Sequence, residues 1–151
     1  VVLLLELGNG DGALFTADAA VPALSAAADR AQSLGFDLPS FANFVQIPHH
    51  GSKHNVGPTI LDRILGPRRK DRTFTKTAFV SAAKEGSPSH PSKKVINAFQ
   101  RRGARVLATQ GVTKCHYFDA PARGGWVAAG PLPFYDRVED YHTRYVYGFS
   151  T

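Results

Sequence analysis

Two adjacent imidazoles sit on a tight, glycine-punctuated stretch, Pro48-His49-His50-Gly51-Ser52, that closes the apolar run Phe44-Val45-Gln46-Ile47. An upstream run, Leu14-Phe15-Thr16-Ala17, ends on the carboxylate of Asp18. A downstream one, Thr77-Ala78-Phe79-Val80-Ser81, leads to a loop carrying His90-Pro91. Carboxylate and imidazole are ligands that Zn²⁺ or Mn²⁺ accepts, and two such ions sharing a carboxylate can activate water against an ester or phosphodiester. Simpler uses exist for the same residues. Asp18 could cap the helix that follows it, and His90, before a proline, could occupy a cap position. His54, His116 and His142 have no comparable context and are expected to be structural or surface residues.

To present those residues together the chain needs strands whose ends meet. Asn9-Gly10-Asp11-Gly12 between two apolar runs predicts an antiparallel hairpin over residues 1–17. Val21, Leu24, Ala28, Ala31 and Leu34 fall near helical spacing, with Pro22 in the first turn and Gly35 at the end. A strand at 43–47 precedes the histidine loop. A short helix started by Pro58 then carries Ile60, Leu61, Ile64 and Leu65 on one side. After the basic loop 68–76 comes a strand at 77–82. A helix with Pro91 at its first position and Val95, Ile96 and Phe99 on its apolar side follows, stopped by Gly103. Strands are expected at 105–109 and 112–118. From residue 119 an extended tail should pack on the same domain, with Trp126, Tyr135, Tyr141, Tyr145 and Tyr147 as packing residues. The fold class is α/β with a mixed sheet, in which neighbouring strand ends converge.

At 151 residues, 43% hydrophobic and 20% charged, the chain has the size and composition of one globular domain. Its longest apolar run, Val1 to Leu5, is far too short for a transmembrane helix, and no signal-peptide pattern is present. A single cysteine excludes an internal disulfide or a cysteine-based zinc site and leaves the compartment open; Cys115 is expected as a small, at least half-buried residue in a strand. The chain lacks methionine and begins inside a strand pattern, so it is expected to be part of a longer protein. From Lys53 to Arg105 there are 13 Lys/Arg against 3 Asp/Glu, while the remainder carries 5 against 9. Such an excess suits either a solvated face or a phosphate-bearing substrate drawn to the side of the histidine loop.

Taken together, Thr16-Ala17-Asp18-Ala19, Pro48-His49-His50-Gly51-Ser52 and Ser89-His90-Pro91 resemble the motifs of the metallo-β-lactamase superfamily. The resemblance is to the branch that includes the hydrolase domain of competence DNA-uptake proteins and the teichoic-acid phosphorylcholine esterases. That branch has Gly where Ala17 stands, a change of one methyl group. The resemblance spans about residues 1–110 and implies the C-terminal half of an αββα sandwich, with residues 1–118 in that half-domain and 119–151 as its tail. It makes Asp18 a metal-bridging carboxylate and His90 a ligand of one ion, while His49 and His50 line the site and one of them touches substrate. The superfamily's principal cluster, His-x-His-x-Asp-His, does not occur in these residues. The resemblance therefore implies that the N-terminal half, in the same gene product or a second chain, completes a site for two divalent ions.

The expected function is hydrolysis of phosphodiester or related ester bonds, with this chain supplying half of the site and inactive alone. The alternative is a degenerate, non-catalytic module that binds nucleic acid or a protein partner through its basic face. The first expectation carries a structural consequence: an extensive apolar surface, or a second polypeptide, where the other half belongs.

Overall fold

The computed structural model describes residues 1–8, 10–71, 73–85, 90–117, 120–121 and 123–138. Strands β1 (Leu3–Glu6) and β2 (Gly12–Phe15) form the expected antiparallel pair. Parallel to β2 run β3 (Ala42–Gln46), β4 (Lys76–Val80) and β5 (Ala104–Ala108), giving one mixed five-stranded sheet in the order β1-β2-β3-β4-β5. The connections between parallel strands carry the helices α1 (Val21–Ser33), α2 (Leu38–Phe41), α3 (Pro58–Leu65) and α4 (Lys93–Gln100). The protein is thus an α/β fold of the class its sequence predicts.

Because strand side chains alternate, each strand divides its residues between two faces. Leu14, Val45, Ala78, Val80 and Val106 point one way and pack with Leu24, Ile60, Leu61, Ile64, Ile96 and Phe99 of the helices into one buried core. Leu3, Leu5, Phe15, Phe44 and Phe79 point the other way. Phe15 and Phe44 stack with ring centroids 5.6 Å apart, and Phe44 meets Phe79 at 5.1 Å. This second face is open towards the hairpin, where Leu3, Leu5 and Phe15 are 48%, 40% and 37% exposed. Sheets built from parallel strands are ordinarily covered on both sides.

Several local expectations change. Neither strand-end residue caps a helix: α1 follows Ala20 rather than Asp18, without a side-chain cap bond, and α4 follows Ser92, so Pro91 precedes the helix instead of opening it. Leu34 lies past the end of α1 and is exposed. The single turn α2 is too short for any periodicity to announce it. It is held by Lys76, which is buried and donates from Nζ to the carbonyls of Pro39 and Ala42 at the turn's C-terminal end. Burial holds the Lys76 pKa below its usual value, with Asp37 opposing. Arg102, also buried, ties α3 to α4 through Asp62 Oδ1 at 2.7 Å and the carbonyls of Ala98 and Pro58.

Residues 112–117 form no strand, and Phe118 lies outside the described residues. Leu132 donates its N–H to Val106 O in β5 at 2.8 Å, while the 112–117 segment crosses the second sheet face. There His116 stacks 5.0 Å from Phe44, and Cys115 is exposed rather than buried in a strand. Of the proposed packing aromatics, Tyr135 meets the core and exchanges two hydrogen bonds with Asn97, whereas Trp126 is 46% exposed under the Arg123 guanidinium. Tyr141, His142, Tyr145 and Tyr147 lie outside the described residues.

Candidate active site

The C-terminal ends of β2, β3 and β4 meet at the histidine loop. His49, His50 and Gly51 form one turn in which all three residues have positive φ, 44°, 55° and 80°. A left-handed conformation costs a residue with a side chain about 1–2 kcal/mol, so two consecutive histidines there mark a loop held by its surroundings. Those surroundings are specific. His49 donates its N–H to Ala17 O at 3.0 Å, joining the loop to the end of β2, where Ala17 itself has φ 45°. Ser92 donates its N–H to Gly51 O at 3.0 Å, joining it to the segment that follows His90. Gly51 also has no room for a side chain: a Cβ there would stand 2.5 Å from Pro91 Cβ. Only glycine fits both this φ and this contact.

The two imidazoles are both exposed but differently held. His50 Nδ1 lies 2.8 Å from Ser81 O, beyond the end of β4. Since a carbonyl can only accept, Nδ1 carries the proton, and in the neutral ring Nε2 keeps a lone pair for a proton or an ion. The His49 ring sits edge-on to His50 with centroids 6.0 Å apart.

Asp18 is exposed, and its backbone is clamped from two sides. Gln46 Oε1 accepts from the N–H groups of Thr16 and Ala17 at 3.1 and 3.0 Å, while Thr16 Oγ1 donates to Gln46 O at 2.7 Å. Asn55, buried just beyond the histidine loop, donates from Nδ2 to the carbonyls of Asp18 and Ala19 at 3.3 and 3.2 Å. Neither Gln46 nor Asn55 was singled out from sequence. The available signal was a polar residue at the end of an apolar run and an amide near the histidine loop. His90 is half-buried, and its Nδ1 is buried without a hydrogen-bond partner. A buried polar atom left in this state marks a place where an ion or another donor fits. Ser89 lies outside the described residues, whereas Ser52 is buried and its Oγ accepts from His54 N–H.

The sheet thus brings together the segments bearing Asp18, His49/His50 and His90. Among the described residues, however, no group of three or more His, Cys, Asp or Glu could hold a metal ion. The donor chemistry suits Zn²⁺ or Mn²⁺, but the donor count does not, so these residues do not hold an ion by themselves.

The charge excess is not gathered at this site. Arg68-Arg69-Lys70 precede β4 and are tied to the start of β5, with Arg69 N–H donating to Arg101 O at 2.7 Å and Thr75 N–H to Gly103 O at 2.9 Å. They lie at the N-terminal ends of the parallel strands, on the order of 15 Å of strand away from the histidine loop. Of the two readings of the charge excess, this placement favours a solvated face with a basic loop over cations gathered beside the histidines. Lys76 and Arg102 are buried, and Arg63 pairs with Asp29 at 2.6 Å, so part of the excess is spent within the fold. At the histidine end, Lys53, Lys84 and Lys93 are exposed cations close in sequence to the site.

An α/β protein with a mixed sheet and a clamped polar loop at the ends of its parallel strands is the class that fold and site define. Over 68 residues, 45% of the chain, it is 34% identical to ComE operon protein 3 of Bacillus subtilis (strain 168). The match spans 8% of that protein's length. No family model matches the chain, and no solved structure matches it. Among the described residues no helix is long and apolar enough to cross a membrane.

Proposed function

We propose that this chain supplies the C-terminal half of a metal-dependent hydrolase site of metallo-β-lactamase type, acting on phosphodiester or related ester bonds. The observation that carries the proposal is the joining, at one strained loop, of the ends of β2, β3 and β4 and the segment after His90, through His49 N–H to Ala17 O, His50 Nδ1 to Ser81 O and Ser92 N–H to Gly51 O. Packed loops hold such conformations where chemistry requires them. Asp18 and His90 would be metal ligands, with the remaining ligands coming from an N-terminal half. The open sheet face of Leu3, Leu5 and Phe15 is the surface against which that half would pack. The similarity to ComE operon protein 3 supports the competence-protein branch within that resemblance.

Bound divalent ions would supply polarisation of the ester and activation of water. The chain's own residues do the positioning. Gln46 holds the backbone of Thr16 and Ala17 and Asn55 the carbonyl of Asp18, and Pro91 against Gly51 holds the His90 segment to the loop. His50, its Nδ1–H donating to Ser81 O, would donate from Nε2 to a phosphoryl oxygen or leaving group as the imidazolium, in which both ring nitrogens carry protons. The test is hydrolysis of bis-p-nitrophenyl phosphate by the full-length protein with Zn²⁺ or Mn²⁺. Metal-dependent turnover that His90→Ala abolishes, with the circular dichroism spectrum unchanged, is the expected result. Turnover unaffected by His90→Ala, or none with either metal, would overturn it in favour of a binding module.

A further inference from the structure

On the sheet face away from the helices, the described residues of the segment 112–129 arch over β4 and β5 and leave a cleft of about 910 Å³ between arch and sheet. The arch is pinned at both ends. Val112 N–H donates to Thr109 O at 2.9 Å just past β5, and Ala129 O accepts from Arg105 Nη2 at 2.9 Å, three residues before Leu132 N–H reaches Val106 O. The walls of the cleft are of two kinds. Phe79, His116, Tyr117 and Trp126 supply rings, and Tyr117 and Trp126 are 58% and 46% exposed. Arg105, Lys114 and Arg123 supply charge, while no Asp or Glu among the described residues lines the cleft. None of the three cations has an ion pair among the described residues. Neutral contacts hold two of them in place: Arg105 through Ala129 O, and Arg123 with its guanidinium 5.3 Å from the centre of the Trp126 ring and Nη1 3.7 Å from Cys115 Sγ. Asp11, the carboxylate that acts on His116 from the hairpin side, is itself bonded by Asn43 Nδ2.

Exposed rings gain by stacking on another ring, and a guanidinium held in place gains by meeting an anion. Small-molecule sites run to about 300–1,000 Å³, so a cleft of this size takes fused rings with their substituents. We infer that it binds a small aromatic anion, one or two planar rings bearing a carboxylate or a phosphate, with the rings against Trp126 and Tyr117 and the anionic group met by Lys114 and Arg123. The cleft lies over β4 and β5, at the end of the strand order remote from the hairpin surface where an N-terminal half would pack. None of its lining residues belongs to the histidine loop, so the inference stands whether or not hydrolysis does.

Cys115, exposed and lining the cleft, reports on occupancy. The experiment is the rate at which N-ethylmaleimide labels Cys115 in the full-length protein in EDTA, read by mass spectrometry of its peptide, with 2-naphthoate or 2-naphthyl phosphate added. A ligand at ten times its dissociation constant should slow labelling by about tenfold, and the better protector of the two tells carboxylate from phosphate. Lys114→Gln/Arg123→Gln should weaken binding at least about tenfold, each protein being compared with its own unliganded rate. Arg68→Gln/Lys70→Gln, which removes the same charge from the loop before β4, should leave protection unchanged. The inference is overturned if Cys115 resists labelling in the unliganded protein, if neither naphthyl anion protects it, or if Lys114→Gln/Arg123→Gln is protected as well as the parent. It is also overturned if uncharged 2-naphthamide or the non-aromatic anion cyclohexanecarboxylate protects equally.

Discussion

His49 and His50 are neighbours in sequence and both exposed, yet it is the His50 ring that is anchored, because the chain beyond β4 brings the Ser81 carbonyl to its Nδ1. That difference separates two residues the sequence left equivalent. In the full-length protein, His50→Ala is expected to lower turnover by about 100-fold, the low end of what a positioned acid or base supplies, while metal content changes little. His49→Ala should have the smaller effect on turnover. Parallel turnover and metal measurements check this. Equal metal loss in His49→Ala, His50→Ala and His90→Ala would mean that the two loop histidines are ligands as well.

At the scale of elements, the strands and longer helices were readable because their apolar residues alternate or recur at helical spacing, as in Ile60, Leu61, Ile64 and Leu65 of α3. The meeting of the chain segments that bear Asp18, His49/His50 and His90 followed from strand order. What remained hidden depends on contacts far apart in the chain. The turn α2 rests on Lys76, and the end of β2 rests on Gln46, thirty residues away. An apparent strand at 112–118 was misleading because apolar residues crossing a sheet face resemble those within a sheet. The Gln46 clamp is testable. Gln46→Ala leaves the N–H groups of Thr16 and Ala17 without their acceptor and should destabilise the protein by about 1–3 kcal/mol in urea unfolding. Gln46→Glu keeps an acceptor in place and should recover most of that loss. Equal losses in both variants would assign the effect to packing rather than to the clamp.

The whole molecule has one helix-covered sheet face and one face of aromatic and aliphatic side chains open towards the hairpin, an arrangement suited to a second layer. His116 lies on that open face against Phe44 and Phe79, and burial lowers its pKa below 6.5, with Asp11 opposing. With a folded pKa below the unfolded value, the unfolded chain binds more protons between the two, so stability rises as pH increases through that window towards 6.5. His116→Phe should remove this rise while preserving the ring cluster, as urea midpoints from pH 5 to 7.5 would show. A midpoint profile identical to the parent's would place the pH dependence elsewhere. The two ends of the sheet differ in kind: histidines and a clamped aspartate at one, a basic loop at the other. The central claim is that the first end is half of a metal centre. Elemental analysis of the purified full-length protein tests it most directly, alongside Asp18→Asn and His90→Ala. The account predicts one to two Zn²⁺ or Mn²⁺ per chain, with substantial loss in both folded variants. Metal content near zero in the parent, or unchanged in both variants, would contradict it.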